Sequence, residues 1–124
     1  MTTRIITPEA TTHTIDATDR TLGRVASEAA DALLGKLSVH FTKNQSLPMT
    51  VIIENASKMN LPTSRTRGTV YTRYTGFPGG LREMTMEEMI TKKGIEEVVK
   101  KTVDGMIPRN RLRAPRMKNL VVKA

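Results

Sequence analysis

The chain contains no cysteine and no tryptophan, and it has only four aromatic residues, Tyr71, Tyr74, Phe41 and Phe77. The absence of cysteine excludes disulfide frameworks, cysteine-ligated zinc sites and thiol chemistry, and it fits a reducing cytoplasm. The scarcity of aromatic residues argues against a module that binds by stacking many bases. Recognition of a folded nucleic acid by its shape and phosphates needs only Arg, Lys and backbone amides, and this mode stays open.

Long apolar runs are also missing. No stretch approaches the roughly 20 apolar residues that a membrane-spanning helix needs, and the N-terminal apolar stretch is too short for a signal peptide. Residues 1–11 lack a periodic apolar face and contain Pro8 and four threonines, which predicts a flexible N-terminal arm. The rest of the 124-residue chain, residues 12–124, has the length of one domain.

Acidic residues are absent from two segments. Residues 55–82 contain five Lys or Arg and no acid, and residues 105–124 contain six and no acid, so the two segments together carry +11. The other 76 residues carry nine basic and twelve acidic side chains, so the net charge of +8 arises in these two segments. Clustered Lys and Arg release counterions from a phosphate backbone, and the two segments therefore predict a polyanionic partner.

Hydrophobic patterning predicts an α/β domain. Four short runs predict strands, at residues 13–17, 49–53, 70–75 and 120–122. The run at 49–53 does not alternate with polar residues, a pattern typical of a strand that is covered on both faces. Strands of this type interspersed with helices favour a single α/β domain around a small, mainly parallel sheet.

Apolar residues at three- and four-residue spacing predict three helices, at residues 22–37, 86–93 and 95–107. Thr21 is the predicted N-cap of the first helix. Thr85 and Glu88 predict a capping box at the start of the second, with Gly94 as its C-cap. Pro108 ends the third helix.

The glycine-rich stretch at residues 76–82 is the sharpest local motif. Its three glycines permit positive φ angles and a close approach of the backbone to a partner. A purely structural turn is the alternative, and the flanking Arg73 and Arg82 favour phosphate contact. The stretch matches neither the P-loop nor the dinucleotide-binding pattern.

A second motif follows the last predicted helix, where Arg109, Arg111 and Arg113 alternate with other residues. Guanidinium groups bind phosphate bidentately, and Asn110 is suited to sugar or base edges. The alternative is a solvated tail, but the preference for Arg over Lys favours contact. We expect these residues to form an extended strip that faces RNA.

Catalytic and metal-binding patterns are weak. His13 and His40 are the only histidines, neither lies near a carboxylate cluster, and no Ser or Cys nucleophile motif is present. A hydrolase or transferase that uses Asp16 and Asp19 would need a paired base that the sequence does not provide. The sequence therefore predicts no enzyme activity, no metal site and no cofactor.

Five landmarks, in order, resemble the L-thirteen family of large-subunit ribosomal proteins in its bacterial form. They are Ile-Asp-Ala at 15–17 with Thr-Leu-Gly-Arg at 21–24, Gly-Lys at 35–36, Val-Ile-Ile-Glu-Asn-Ala at 51–56, the stretch 71–82, and the stretch 105–112. The resemblance implies a three-layer α/β/α domain with a four-stranded, mainly parallel sheet. It also implies a structural constituent of the cytoplasmic large ribosomal subunit that binds rRNA and joins early in assembly.

The implied partners are large-subunit rRNA and neighbouring ribosomal proteins, with no membrane and no small-molecule substrate. An RNA-binding translational regulator outside the ribosome is the alternative. The residues predicted to contact RNA are Arg24, Lys36, Lys58, Arg65, Arg67, Arg73, Tyr74, Gly76, Gly79, Gly80, Arg82, Arg109, Asn110, Arg111, Arg113, Arg116 and Lys118.

Overall fold

The computed structural model describes residues 11–37, 39 and 49–124. In chain order its elements are β1 (Thr11–Asp16), α1 (Leu22–Leu34), β2 (Met49–Glu54), a 3-10 helix (Ala56–Lys58), α2 (Thr63–Gly68), β3 (Val70–Tyr74), β4 (Leu81–Thr85), α3 (Met86–Lys93), α4 (Ile95–Met106), α5 (Arg113–Lys118) and β5 (Leu120–Val122). The predicted α/β class is confirmed. Within the described residues, no helix combines the length and apolar character needed to cross a membrane.

The main sheet has three parallel strands in the order β1-β2-β5. Ile15, Ile53 and Val122 are neighbours in register on one face, and all three are buried. Helices α1 and α4 pack against each other and against β2 and β5 on this side. The opposite face carries Thr14, Ile52 and Val121 and is partly or fully exposed. Buried and more exposed residues therefore alternate along β2. The sequence had suggested a strand covered on both faces, but among the described residues only one face of β2 is fully covered.

The predicted strand at 70–75 does not join this sheet. Its counterpart β3 pairs antiparallel with β4, and the two strands form a separate hairpin. The described residues thus show a three-stranded parallel sheet where a four-stranded, mainly parallel sheet was expected. The sequence missed β4, since its Arg82 and Glu83 interrupt the apolar alternation that identifies a strand.

The core lies between the main sheet and helices α1 and α4. Val25 and Leu33 of α1 and Val98, Val99 and Val103 of α4 are almost completely buried. Burying such a side chain contributes roughly 1.5–3 kcal/mol, so this contact supplies a large share of the stability. It also fixes the position of α4, which contributes Lys101 to the candidate site.

The helix ends agree with the sequence at α3 and differ at α1. Glu88 N donates to Thr85 Oγ1 at 3.3 Å, and Gly94 follows the last residue of α3, so Thr85 as N-cap and Gly94 as C-cap are confirmed. Among the described residues, the return hydrogen bond of the capping box, from Thr85 N to the Glu88 side chain, does not form. Thr21 holds the N-cap position of α1 but makes no side-chain capping hydrogen bond. Gly35 adopts a left-handed conformation and ends α1, so Leu37 lies outside the helix and is 59% exposed.

The segment after α4 is compact, and the prediction of an extended strip is wrong. Asn110 N donates to the Pro108 carbonyl at 3.0 Å, and Asn110 Oδ1 accepts from Leu112 N at 3.0 Å. An asparagine that bonds backbone two residues ahead closes a tight turn. Helix α5 then starts at Arg113.

Strand β1 begins at Thr11, one residue inside the arm predicted at 1–11. Residues 1–10 lie outside the described residues, so the flexible arm stays a prediction. The single domain predicted for residues 12–124 likewise stays a prediction.

Candidate nucleic-acid interface

Two arginines face each other across the hairpin. Arg73 of β3 is the direct cross-strand partner of Arg82 of β4. Both are exposed, and among the described residues neither forms an ion pair with a carboxylate. Like charges at directly opposite positions destabilise an antiparallel pair, so this arrangement favours an external anion.

A groove lies between the hairpin and helices α3 and α4. It encloses about 230 Å³, and its lining includes Arg73, Arg82, Lys93 and Lys101 together with the acid Glu83. We call it the hairpin groove. The two lysines were not predicted from the sequence, because they lie on the polar faces of amphipathic helices, where side chains are usually only solvated. Only the packing of the hairpin beside these helices identifies them.

Tyr71 connects the hairpin groove to a second cavity. Lys101 Nζ lies 4.7 Å from the centroid of the Tyr71 ring, a cation–π distance. Burial of this residue raises the pKa of its hydroxyl, so it stays neutral at physiological pH. Tyr71 also lines a larger cavity of about 590 Å³, which includes the predicted Arg24 of α1 and Arg65 of α2. Tyr71 therefore lines both the cavity that includes Arg24 and Arg65 and the groove that includes Arg73 and Arg82.

The three glycines of the hairpin loop shape its turn. Gly76 and Gly79 have φ angles of 90° and 72°, which L-residues rarely adopt. A side chain at Gly80 would collide with the Thr75 hydroxyl and the Phe77 carbonyl. The geometry of the turn thus explains all three glycines. Tyr74, at the end of β3, is 65% exposed, and Phe77, in the loop, is 74% exposed.

Several predicted cations have intramolecular carboxylate partners. Lys36 Nζ lies 3.6 Å from Asp31, Arg67 Nε lies 4.0 Å from Glu87, and Arg113 Nε lies 3.3 Å from Asp104. These pairs are partly or largely exposed, so each contributes only about 0–1 kcal/mol. A phosphate is expected to compete with them. All three acids come from outside the acid-free segments, because Asp31 lies in α1, Glu87 in α3 and Asp104 in α4.

Arg116 does not lie on the surface, in contrast to the prediction that it contacts RNA. It is only 1% exposed and lies in α5, which packs against α1, α4 and β5. A side chain buried in this way presents no charge to a surface ligand. The remaining predicted residues of this segment, Arg109, Asn110, Arg111 and Lys118, are exposed, as is Lys58 after β2.

Asp16, the candidate catalytic carboxylate, serves as a turn organiser. Its Oδ1 accepts from Thr18 N at 3.0 Å, from Thr18 Oγ1 at 2.7 Å and from Asn55 Nδ2 at 3.1 Å. The hydrogen bonds from Thr18, followed by that from Asn55, lower the pKa of Asp16 to about 2. Such a carboxylate is a weak base at neutral pH, which argues against the hydrolase alternative. In the described part of the chain, no group of three or more His, Asp or Glu residues is placed to hold a metal ion.

Comparison with known proteins identifies the family. Residues 10–123 match the sequence profile of the family described as Ribosomal protein L13. The chain belongs to the ribosomal protein L13 family. It is 38% identical over 112 residues to "Large ribosomal subunit protein uL13" of Hahella chejuensis, covering 90% of this chain and 78% of that protein. The protein of the same name from Rickettsia rickettsii is 42% identical over 113 residues, covering 89% of this chain and 73% of the relative.

A further relative with this name, from Geobacter sulfurreducens, is 36% identical over 112 residues, covering 90% of this chain and 78% of that protein. These matches confirm the resemblance to the bacterial L13 family that the five landmarks predicted. Two of those landmarks, residues 71–82 and 105–112, correspond in the structure to the hairpin and to the turn between α4 and α5.

Proposed function

We propose that this chain is a structural constituent of the bacterial large ribosomal subunit, located in the cytoplasm with that subunit. It binds large-subunit rRNA, contacts neighbouring ribosomal proteins and helps early subunit assembly, and it catalyses no reaction. Membership of the L13 family supports this proposal, and so do the names of the relatives.

The observation that carries the proposal is the Arg73–Arg82 pair. Both guanidinium groups lie at opposed positions of a hairpin without an acidic partner among the described residues. A free protein gains nothing from this repulsion, whereas a phosphate backbone binds both side chains at once. Arg forms bidentate hydrogen bonds with phosphate oxygens, which suits the pair to RNA.

The turn between α4 and α5 supplies a second contact surface. Arg109, Asn110 and Arg111 are exposed there, and the Asn110 side-chain oxygen closes the turn. The Asn110 amide nitrogen forms no hydrogen bond among the described residues and can donate to a sugar or base edge. The interface therefore combines phosphate contacts at the hairpin with mixed contacts at this turn.

Binding of the full-length protein to transcribed large-subunit rRNA tests the proposal. The variant R73Q/R82Q is expected to bind at least about tenfold more weakly, because two charge-assisted contacts are removed. Cosedimentation tests the ribosomal role. A structural constituent stays with large subunits through a high-salt wash, whereas release into the supernatant would favour the extra-ribosomal regulator.

A further inference from the structure

We propose that the hairpin groove binds one backbone phosphate of RNA, and that Lys93 and Lys101 are binding residues within it. The inference rests on the proposed function and deepens it, because it places a specific contact on helices α3 and α4. Neither lysine belongs to the two acid-free segments, so the charge distribution of the sequence does not identify them.

Four cations from four elements converge on this groove. Arg73 and Arg82 come from the hairpin strands, Lys93 is the last residue of α3, and Lys101 lies in the middle of α4. Gly94 joins α3 to α4 directly, which brings the two lysines to the same side of the hairpin. Against these four cations the groove lining holds one acid, Glu83.

The four cations have no carboxylate partner among the described residues. Glu97 precedes Lys101 by four residues, a spacing that commonly yields an ion pair on a helix, yet no such pair forms. Lys101 lies over the Tyr71 ring instead. The ring attracts the ammonium without accepting all three of its N–H donors, so donors remain for a ligand.

The size and lining of the groove fit a phosphate. Its volume of about 230 Å³ is below the roughly 300–1,000 Å³ of pockets that enclose a drug-sized ligand or cofactor. The methionines Met84 and Met89 contribute apolar surface to the lining.

The test compares two pairs of lysines with the same change in charge. K93Q/K101Q removes the two groove lysines. K92Q/K100Q removes the lysines that precede them by one residue, which point about 100° away around each helix and do not line the groove. Binding of each full-length variant to transcribed large-subunit rRNA is measured from 50 to 200 mM salt.

K93Q/K101Q is expected to bind about tenfold more weakly and to reduce the slope of log affinity against log salt by about one, the value for one lost phosphate contact. K92Q/K100Q is expected to stay within about twofold of the parent protein. K93R/K101R, which keeps both charges, is expected to restore most of the affinity. Because Lys101 also packs on Tyr71, K93Q alone is included, and its expected loss is about threefold with an unchanged thermal midpoint.

The outcomes separate this inference from the proposed function. If K93Q/K101Q and K92Q/K100Q bind equally while R109Q/R111Q binds more weakly, the groove does not hold a phosphate, and the rRNA-binding function stands. If K93Q leaves affinity unchanged and K93Q/K101Q loses affinity only with a fallen thermal midpoint, the groove contact is likewise refuted. If the parent protein does not bind the rRNA, both proposals fail.

Discussion

Replacing Arg82 by Glu is expected to change folding stability and RNA binding in opposite directions. In the free protein Arg82 faces Arg73 directly across the hairpin. R82E converts this repulsion into an attraction. In the complex, the same change removes a cation from the proposed phosphate site and puts an anion there.

The stability gain follows from the cross-strand geometry. A charge pair at directly opposite positions contributes about 0.2–1 kcal/mol, with a sign that depends on the charges. Reversing the sign is therefore expected to stabilise the fold by about 0.5–1.5 kcal/mol. For a chain of this length the thermal midpoint rises by about 2–6 °C. The gain should shrink at high salt, because exposed charges are screened beyond a Debye length of about 10 Å at 0.1 M.

RNA binding is expected to weaken by more than about tenfold, since a charge-assisted contact contributes roughly 1.5–3 kcal/mol. A double-mutant cycle provides the control. R73E alone should stabilise the fold as R82E does, whereas R73E/R82E restores repulsion between positions 73 and 82, so the two stabilising effects should not add. A lower thermal midpoint for both single variants, or unchanged rRNA affinity, would refute the reasoning.

Three further predictions follow from the site. R109Q/R111Q should leave the thermal midpoint within about 2 °C of the parent protein and weaken rRNA binding. R116Q should lower the free energy of unfolding by more than about 2 kcal/mol, because Arg116 is buried. Equal thermal midpoints for the two variants would contradict this contrast. With about six to eight phosphate contacts, affinity for rRNA should fall on the order of a thousandfold between 50 and 200 mM salt in a filter-binding titration, and a flat response would mean that the cations face solvent. The pKa of Asp16 is lowered from 3.8 to about 2 in the fold, so the stability that its carboxylate contributes is present above about pH 3.8 and is lost as the pH falls toward 2. The parent protein should therefore lose more stability than D16N over that range, and an equal loss in the two proteins would contradict this role of Asp16.

The sequence predicted those elements whose signals are local. Neighbouring residues alone determine the 3.6-residue period of α4, the N-cap at Thr85 and the C-cap at Gly94, and each of these features appears at the expected place. Strand β4 and helix α5 were missed, because both are short and polar and depend on tertiary packing. The compact turn at Asn110 was missed for a related reason, since an alternating Arg pattern is compatible with either a turn or an extended chain.

The candidate site was only partly predictable, because charge along a sequence differs from charge on a surface. Of the eleven basic residues in the two acid-free segments, Arg67 and Arg113 acquire acidic partners and Arg116 enters the core. The other eight basic residues of these segments form no ion pair with a carboxylate of the described residues. The fold adds Lys93 and Lys101 from helices whose sequence also contains acids.

The unpaired cations have an energetic consequence for the free protein. Placing Arg73, Arg82, Lys93 and Lys101 around one groove costs stability through mutual repulsion, and none of the four forms an ion pair with a carboxylate of the described residues. A fold that needed only to be stable would replace Arg73, Arg82 or Lys93 with an acid at little cost in packing, since these three side chains are exposed. The repulsion is relieved only when an external anion enters. The residues that weaken the isolated hairpin are therefore the ones expected to contribute most to RNA binding. The opposite effects of R82E on stability and affinity have one cause, since the positive charge of Arg82 is repelled by Arg73 in the free protein and attracted by phosphate in the complex.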